Sequence, residues 1–184
     1  MVYQKDQVQE IAGQLNQGAI GVLPTDTLYG VVASVKQLEA VERVYTIKQR
    51  DRQKACIVLI NRLEDLQLFG IAVDEYRDRL NEYWPGPISV VLPTGTCPEH
   101  LCRKGPSLAV RLPNDPWLQS LLTLTGPLIA PSANPESQPP ATTIAEAQQY
   151  FNSDVDFYVE GGTLAGKAST LISLAEPETT TLRP

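Results

Sequence analysis

The sequence predicts an α/β protein of the mixed α+β kind, with a mixed β-sheet held between helical layers. Three observations lead there. Segments with helical and with strand-like patterning alternate loosely along the chain. The run ACIVLI (55–60) is apolar throughout, which marks a strand buried on both faces. Several short strands follow one another toward the C-terminus, which a strictly doubly wound parallel sheet does not produce.

The elements follow in order. In residues 3–17, Val8, Ile11, Ala12 and Leu15 share one helical face, and Gly18 supplies a stop. AIGVL (19–23) reads as a buried strand that ends at Pro24, because proline cannot donate to a ladder. Extended structure resumes over 29–33. Residues 34–50 predict a helix with the apolar stripe Leu38, Val41, Val44, Tyr45 and Ile47, and with Ser34 as N-cap. The strand 55–60 follows. Residues 63–84 are helical in period and break near Gly70, and PGP (85–87) forces a turn. ISVVL (88–92) and LAVRLP (108–113) read as strands around an irregular segment, 94–107. DPWLQSLLTLTG (115–126) has Asp115 at the N-cap, Pro116 at the first helical position and Gly126 after the last turn. PLIA (127–130) begins extended and runs into a loop rich in proline and serine. TIAEAQQYF (143–151) carries a capping box, Thr143 with Glu146. DFYVEGG (156–162) and STLISL (169–174) are two further strands.

The 184 residues suit one domain spanning 1–184, without internal repeat, and 42% hydrophobic residues are enough for a core. No apolar stretch approaches the roughly 18 residues a membrane span needs, and the N-terminus lacks the pattern of a signal peptide, so no membrane association is expected. Three sparse cysteines, Cys56, Cys97 and Cys102, fit a reducing, cytoplasmic setting. Cys97, His100 and Cys102 lie close in sequence, but no second ligand cluster accompanies them, which argues against a metal site. The net charge of −6 weighs against non-specific nucleic-acid binding, although a local basic pocket remains compatible with it.

Four stretches carry candidate chemistry. KQRDRQK (48–54) places Lys48, Arg50, Arg52 and Lys54 between a helix and a buried strand. It reads either as a solvated basic helix end or as a polyphosphate clamp. PSAN (131–134) follows an extended segment, so Ser132 and Asn134 either close a turn or meet a ligand at a strand end. Arg111 interrupts an apolar strand and must face solvent or an anion. GGTLAGKAST (161–170) superficially suggests a phosphate loop, but Ala168 follows Lys167 and a strand follows the loop, so a Walker-type site is rejected. The single histidine, His100, and the lack of a nucleophile elbow argue against a hydrolytic triad. Any catalysis is expected to work by positioning charged substrates. In PTDTLYG (24–30), Asp26 either caps the turn or orients the waters of a magnesium ion, and the structural role is the expectation.

PTDTLYG (24–30), KQRDRQK (48–54), WPGPISVVL (84–92), LAVRLP (108–113), PLIAPSAN (127–134) and GG…AST (161–170), in that order, resemble the YrdC/Sua5 family over nearly the whole chain. The length resembles that of single-domain members, without the separate C-terminal domain some carry. The resemblance implies a twisted mixed sheet around a basic, concave cavity. It implies synthesis of threonylcarbamoyl-AMP and pyrophosphate from L-threonine, bicarbonate and ATP, with Mg2+ accompanying ATP. A separate tRNA threonylcarbamoyltransferase complex uses the product to modify adenosine 37. It further implies phosphate contacts from Arg50 and Lys54, with Lys48 in the same catalytic motif. ATP contacts are implied for Ser107, Asn134, Thr142 and Arg183, and threonine contacts for Thr27, Tyr29, Arg111, Ser132 and Ser169. Contact with tRNA by a non-catalytic YciO-like or ribosome-assembly module is the alternative, against which the acidic charge weighs. The chain departs from the family pattern at Ala55, Leu59 and Glu136–Ser137. Glu136 is expected to repel phosphates unless it turns outward.

Overall fold

The computed structural model describes residues 1–103, 105–176 and 178–184. Its strands are β1 (Val2–Tyr3), β2 (Gly21–Pro24), β3 (Tyr29–Ser34), β4 (Val58–Leu59), β5 (Ile88–Pro93), β6 (Ser107–Arg111), β7 (Leu128–Ile129), β8 (Phe157–Val159), β9 (Thr170–Ser173) and β10 (Thr180–Arg183). They form one sheet in the order β1-β8-β2-β3-β7-β4-β6-β5-β9-β10. Parallel pairs (β4 with β6, β5 with β9) stand beside antiparallel ones (β2 with β3, β5 with β6), so the sheet is mixed, as the sequence predicts.

Neighbouring residues within each central strand divide between two apolar clusters. Leu23, Val32, Leu59 and Leu128 pack against α1 (Val8–Asn16) and α5 (Pro116–Thr125) through Ile11, Leu15, Leu118 and Leu121. Val22, Val31, Val58 and Ile129 face the other way, onto α2 (Leu38–Ile47), the 3-10 helix Leu63–Phe69 and α3 (Val73–Asn81). Burial on both faces accounts for the unbroken apolar runs.

The caps hold where the sequence places them at two helices. Asp115 accepts from the Leu118 N–H at 2.7 Å, and Thr143 accepts from the Glu146 N–H at 3.2 Å at the head of α6 (Ile144–Phe151). The Glu146 carboxylate reaches one residue further back than a standard capping box, to Thr142. Ser34 is not a cap: it ends β3, and α2 begins four residues later, after Gln37. The break at Gly70 is real, with φ +67°, a left-handed conformation that favours glycine. The helix before it winds as 3-10.

The segment 94–107 contains a one-turn helix, α4 (Glu99–Cys102), and a Cys97–Cys102 disulfide across Cα atoms 6.1 Å apart. The expectation of a reduced set is therefore corrected at this pair. The short turn brings the two Cα atoms within bridging distance, which sequence separation alone does not reveal. Cys56 is free and buried. No helix among the described residues is long and apolar enough to cross a membrane.

Candidate functional site

The sheet positions the site through its strand ends. Between β2 and β3, Thr25 folds the TDT segment: its hydroxyl donates to the Leu28 carbonyl at 2.7 Å and accepts from the Thr27 and Leu28 N–H groups, each at 3.2 Å. This turn presents Thr27 forward, and Arg111 at the end of β6 meets it, Nη1 donating to Thr27 Oγ1 at 3.2 Å. Gly30 bridges to Ser132, which brings the SAN segment alongside. Ser169, just before β9, is buried, with its hydroxyl 2.9 Å from that of Ser89 on β5. Arg183 on β10 donates through Nη2 to the Ser169 carbonyl at 2.8 Å.

Thr27, Ser132 and Ser169 line a cleft of about 110 Å³, with Tyr29 in one wall and Arg50 and Arg183 beside Arg111. No acidic side chain lines it among the described residues. The volume lies below the ~300–1,000 Å³ of pockets that enclose drug-sized ligands, so the cleft is sized for a small molecule. The resemblance implies a basic, concave cavity; the cleft here is small, with three arginines in its lining.

Of the expected site residues, the structure brings Thr27, Tyr29, Arg50, Arg111, Ser132, Ser169 and Arg183 together around this cleft. It does not bring Lys48, Lys54, Ser107, Asn134 or Thr142 to its lining. Lys48 is almost fully buried, its ammonium donating to the carbonyls of Ser132 and Asn134, and burial lowers its pKa to about 8. It shapes the SAN segment from behind, which accounts for its place in the basic motif without a ligand contact. Asn134 is committed to the same loop: Oδ1 accepts from Ser132 Oγ at 2.6 Å, and Nδ2 donates to the Gln138 carbonyl at 2.7 Å. Ser107 pairs with Pro93 at the start of β6, and Thr142 donates to Glu146.

Glu136 turns to the basic loop. It accepts from Lys54 Nζ at 2.7 Å and from the Asp51 N–H at 2.8 Å, and these bonds hold its carboxyl below the usual range while raising Lys54. Arg50 donates to the Lys54 and Ala55 carbonyls at 3.1 and 3.0 Å.

Asp26 and Arg111 form a buried ion pair at 3.0 Å. Burial raises the Asp26 carboxyl above its ordinary value, against the opposing pull of Arg111, and burial lowers the Arg111 guanidinium. Tyr29 donates to the Gly162 carbonyl at 2.8 Å, and burial raises its phenol. Gly166 lies against the Thr27 backbone: a Cβ there would lie 2.2 Å from the Thr27 carbonyl, so only glycine lets the 161–168 loop close on the turn.

The residues give a resident magnesium no ligand set. The described residues contain no cluster of three or more His, Cys, Asp or Glu side chains able to hold a metal, and Asp26 and Glu136 are both paired to cations. Cys97 and Cys102 are bonded to each other, and His100 Nε2 lies 3.0 Å from the Val35 carbonyl. Ser89, whose hydroxyl pairs with that of Ser169, is a residue that sequence reasoning did not single out. Ser89 carries the same signal as Arg111, a polar residue inside an apolar strand.

The site is a cleft at strand ends lined by three arginines and several hydroxyls. The chain belongs to the Sua5/YciO/YrdC family, whose model, described as "Telomere recombination", matches residues 13–184. It is 33% identical over 162 residues to a threonylcarbamoyl-AMP synthase of Pseudomonas fluorescens, covering 87% of each chain. It superposes on Pyrococcus abyssi (P. abyssi) Sua5, solved in complex with L-threonine, with TM-score 0.92 and 28% identity, covering 100% of this chain and 57% of that one. Escherichia coli YciO shares the fold at TM-score 0.86 and 22% identity, over 100% of this chain and 94% of that one. The chain thus spans little more than half the length of the P. abyssi protein but most of the Pseudomonas synthase.

Proposed function

We propose that the protein is an L-threonylcarbamoyladenylate synthase, a nucleotidyltransferase that makes threonylcarbamoyl-AMP, pyrophosphate and water from L-threonine, bicarbonate and ATP. The observation that carries this reading is the small cleft around Arg111, in a fold that superposes on a Sua5 solved with L-threonine. The curated synthases of matching length support it.

In this reading Arg111 receives the threonine carboxylate as a planar fork. Thr27, Ser132 and Ser169 offer hydroxyls to the rest of the amino acid, and Tyr29 walls the cleft. The threonine amine attacks the carbon of bicarbonate, or of CO2 formed from it, and water is lost as the carbamate forms. A carbamate oxygen attacks the α-phosphorus of ATP, and the bond to the β-phosphate oxygen breaks to release pyrophosphate. The nucleotide is too large for the cleft and lies across its mouth, where Arg50 and Arg183 face it and Lys54 is within the same basic loop. Those cations offset the charge that grows on the leaving group, and holding the reactants in line supplies much of the rate. Magnesium belongs to the substrate, carried on the phosphates of ATP. The product is passed to a tRNA threonylcarbamoyltransferase complex.

Incubation with ATP, L-threonine and labelled bicarbonate tests the reading. A labelled adenylate and pyrophosphate that appear only when all three are present are expected. RNA affinity without product would overturn it in favour of a binding module.

A further inference from the structure

We propose that Asp26 is a positioning residue, holding the Arg111 guanidinium from behind the cleft in the orientation that receives a substrate carboxylate. The proposal rests on the reading of Arg111 given above.

Asp26 does not line the cleft, so it has no direct path to a ligand. Its carboxylate is 7% exposed and lies 3.0 Å from Arg111 Nη2, while Arg111 is 4% exposed. The neighbouring Thr27 accepts from Nη1 at 3.2 Å. One short turn therefore grips the guanidinium at both terminal nitrogens, Asp26 at one and Thr27 at the other. That turn is fixed by the three hydrogen bonds of the Thr25 hydroxyl. Arg111 Nε is buried without a partner, and both Asp26 oxygens lack a well-aligned donor. The guanidinium is thus held at its two terminal nitrogens without every donor being used.

Charge points the same way. Arg183 faces Arg111 and repels it, Asp115 faces Asp26, and among the described residues Asp26 is the sole ion-pair partner of Arg111. Without Asp26, three guanidiniums would share a cleft that no acidic side chain lines, and Arg111 would be buried unpaired. With Asp26 and a bound carboxylate, two anions stand against those three cations. Asp26 in this role keeps Arg111 extended along the end of β6 when the cleft holds no substrate.

Steady-state pyrophosphate release separates this from a purely structural role. Asp26→Asn should raise the threonine KM by about tenfold or more and leave the ATP KM within about twofold, and Asp26→Glu should restore most of the threonine affinity. Burial raises the Asp26 carboxyl, so the intact protein should lose threonine affinity as pH falls and Asp26 takes up a proton, and Asp26→Asn should lack that limb. An unchanged threonine KM in Asp26→Asn, or an equal rise for both substrates, overturns the proposal. Should that variant not fold, threonine binding to the intact protein without an acid limb overturns it equally. Arg111→Lys distinguishes the two readings. If it leaves the threonine KM unchanged, the reading of Arg111 fails. If it raises the KM and Asp26→Asn does not, only the role of Asp26 fails.

Discussion

Lys48 and Arg111 are both buried cations, and they reach that state by different routes. Arg111 pairs with a carboxylate, whereas Lys48 has two backbone carbonyls and, among the described residues, no counter-ion in contact. Lys48→Met leaves those carbonyls without a donor and should destabilise the fold by about 1–3 kcal/mol in chemical denaturation near neutral pH. The pH dependence has a definite sign. The folded pKa is lowered from 10.5 to about 8, so the unfolded chain holds more protons between those values. Lys48 therefore contributes a rise in stability from about pH 8 to 10.5, which Lys48→Met should lack. Arg111 was legible in the sequence because a charged residue inside an apolar strand demands an explanation. Lys48 was not: nothing in KQRDRQK distinguishes the lysine that turns inward from the one that stays in water.

At the scale of elements, two loops meet that the sequence treats as separate motifs. The basic loop after α2 and the SAN loop after β7 are joined by Lys48 from within and by the Lys54–Glu136 pair at the surface. On the proposed reading, Glu136 would compete with phosphate for Lys54. Glu136→Gln should therefore lower the ATP KM by about two- to fivefold, the range expected for an exposed pair. A raised KM would instead mean that Glu136 holds the loop in its binding shape. The segment before β6 gives a second check. Unfolded without reductant, the protein should show one reactive thiol, Cys56, and three after reduction; three from the start would contradict the Cys97–Cys102 bond. Helix periodicity and the caps at Asp115 and Thr143 were readable, because they depend on neighbours in sequence. The start of α2 was misplaced, because Ser34 is also a suitable last residue for β3, and sheet pairing decided the matter.

Over the whole molecule, the mixed sheet buried on two faces was legible from its apolar runs, but its strand order was not. β1 and β10 are short edges, and β10 is exposed at all four positions, so neither leaves a hydrophobic pattern to read. Yet β10 delivers Arg183 to the cleft, and β9 brings Ser169 across to Ser89. The site is thus a product of topology, assembled from turns and strand ends far apart in the chain. Its central element is Arg111, and threonine-dependent pyrophosphate release by Arg111→Ala at saturating ATP and bicarbonate tests it most directly. The account predicts a threonine KM raised by about 100-fold or more, as expected when a buried charge-assisted contact is lost. A threonine KM close to that of the intact protein would contradict it.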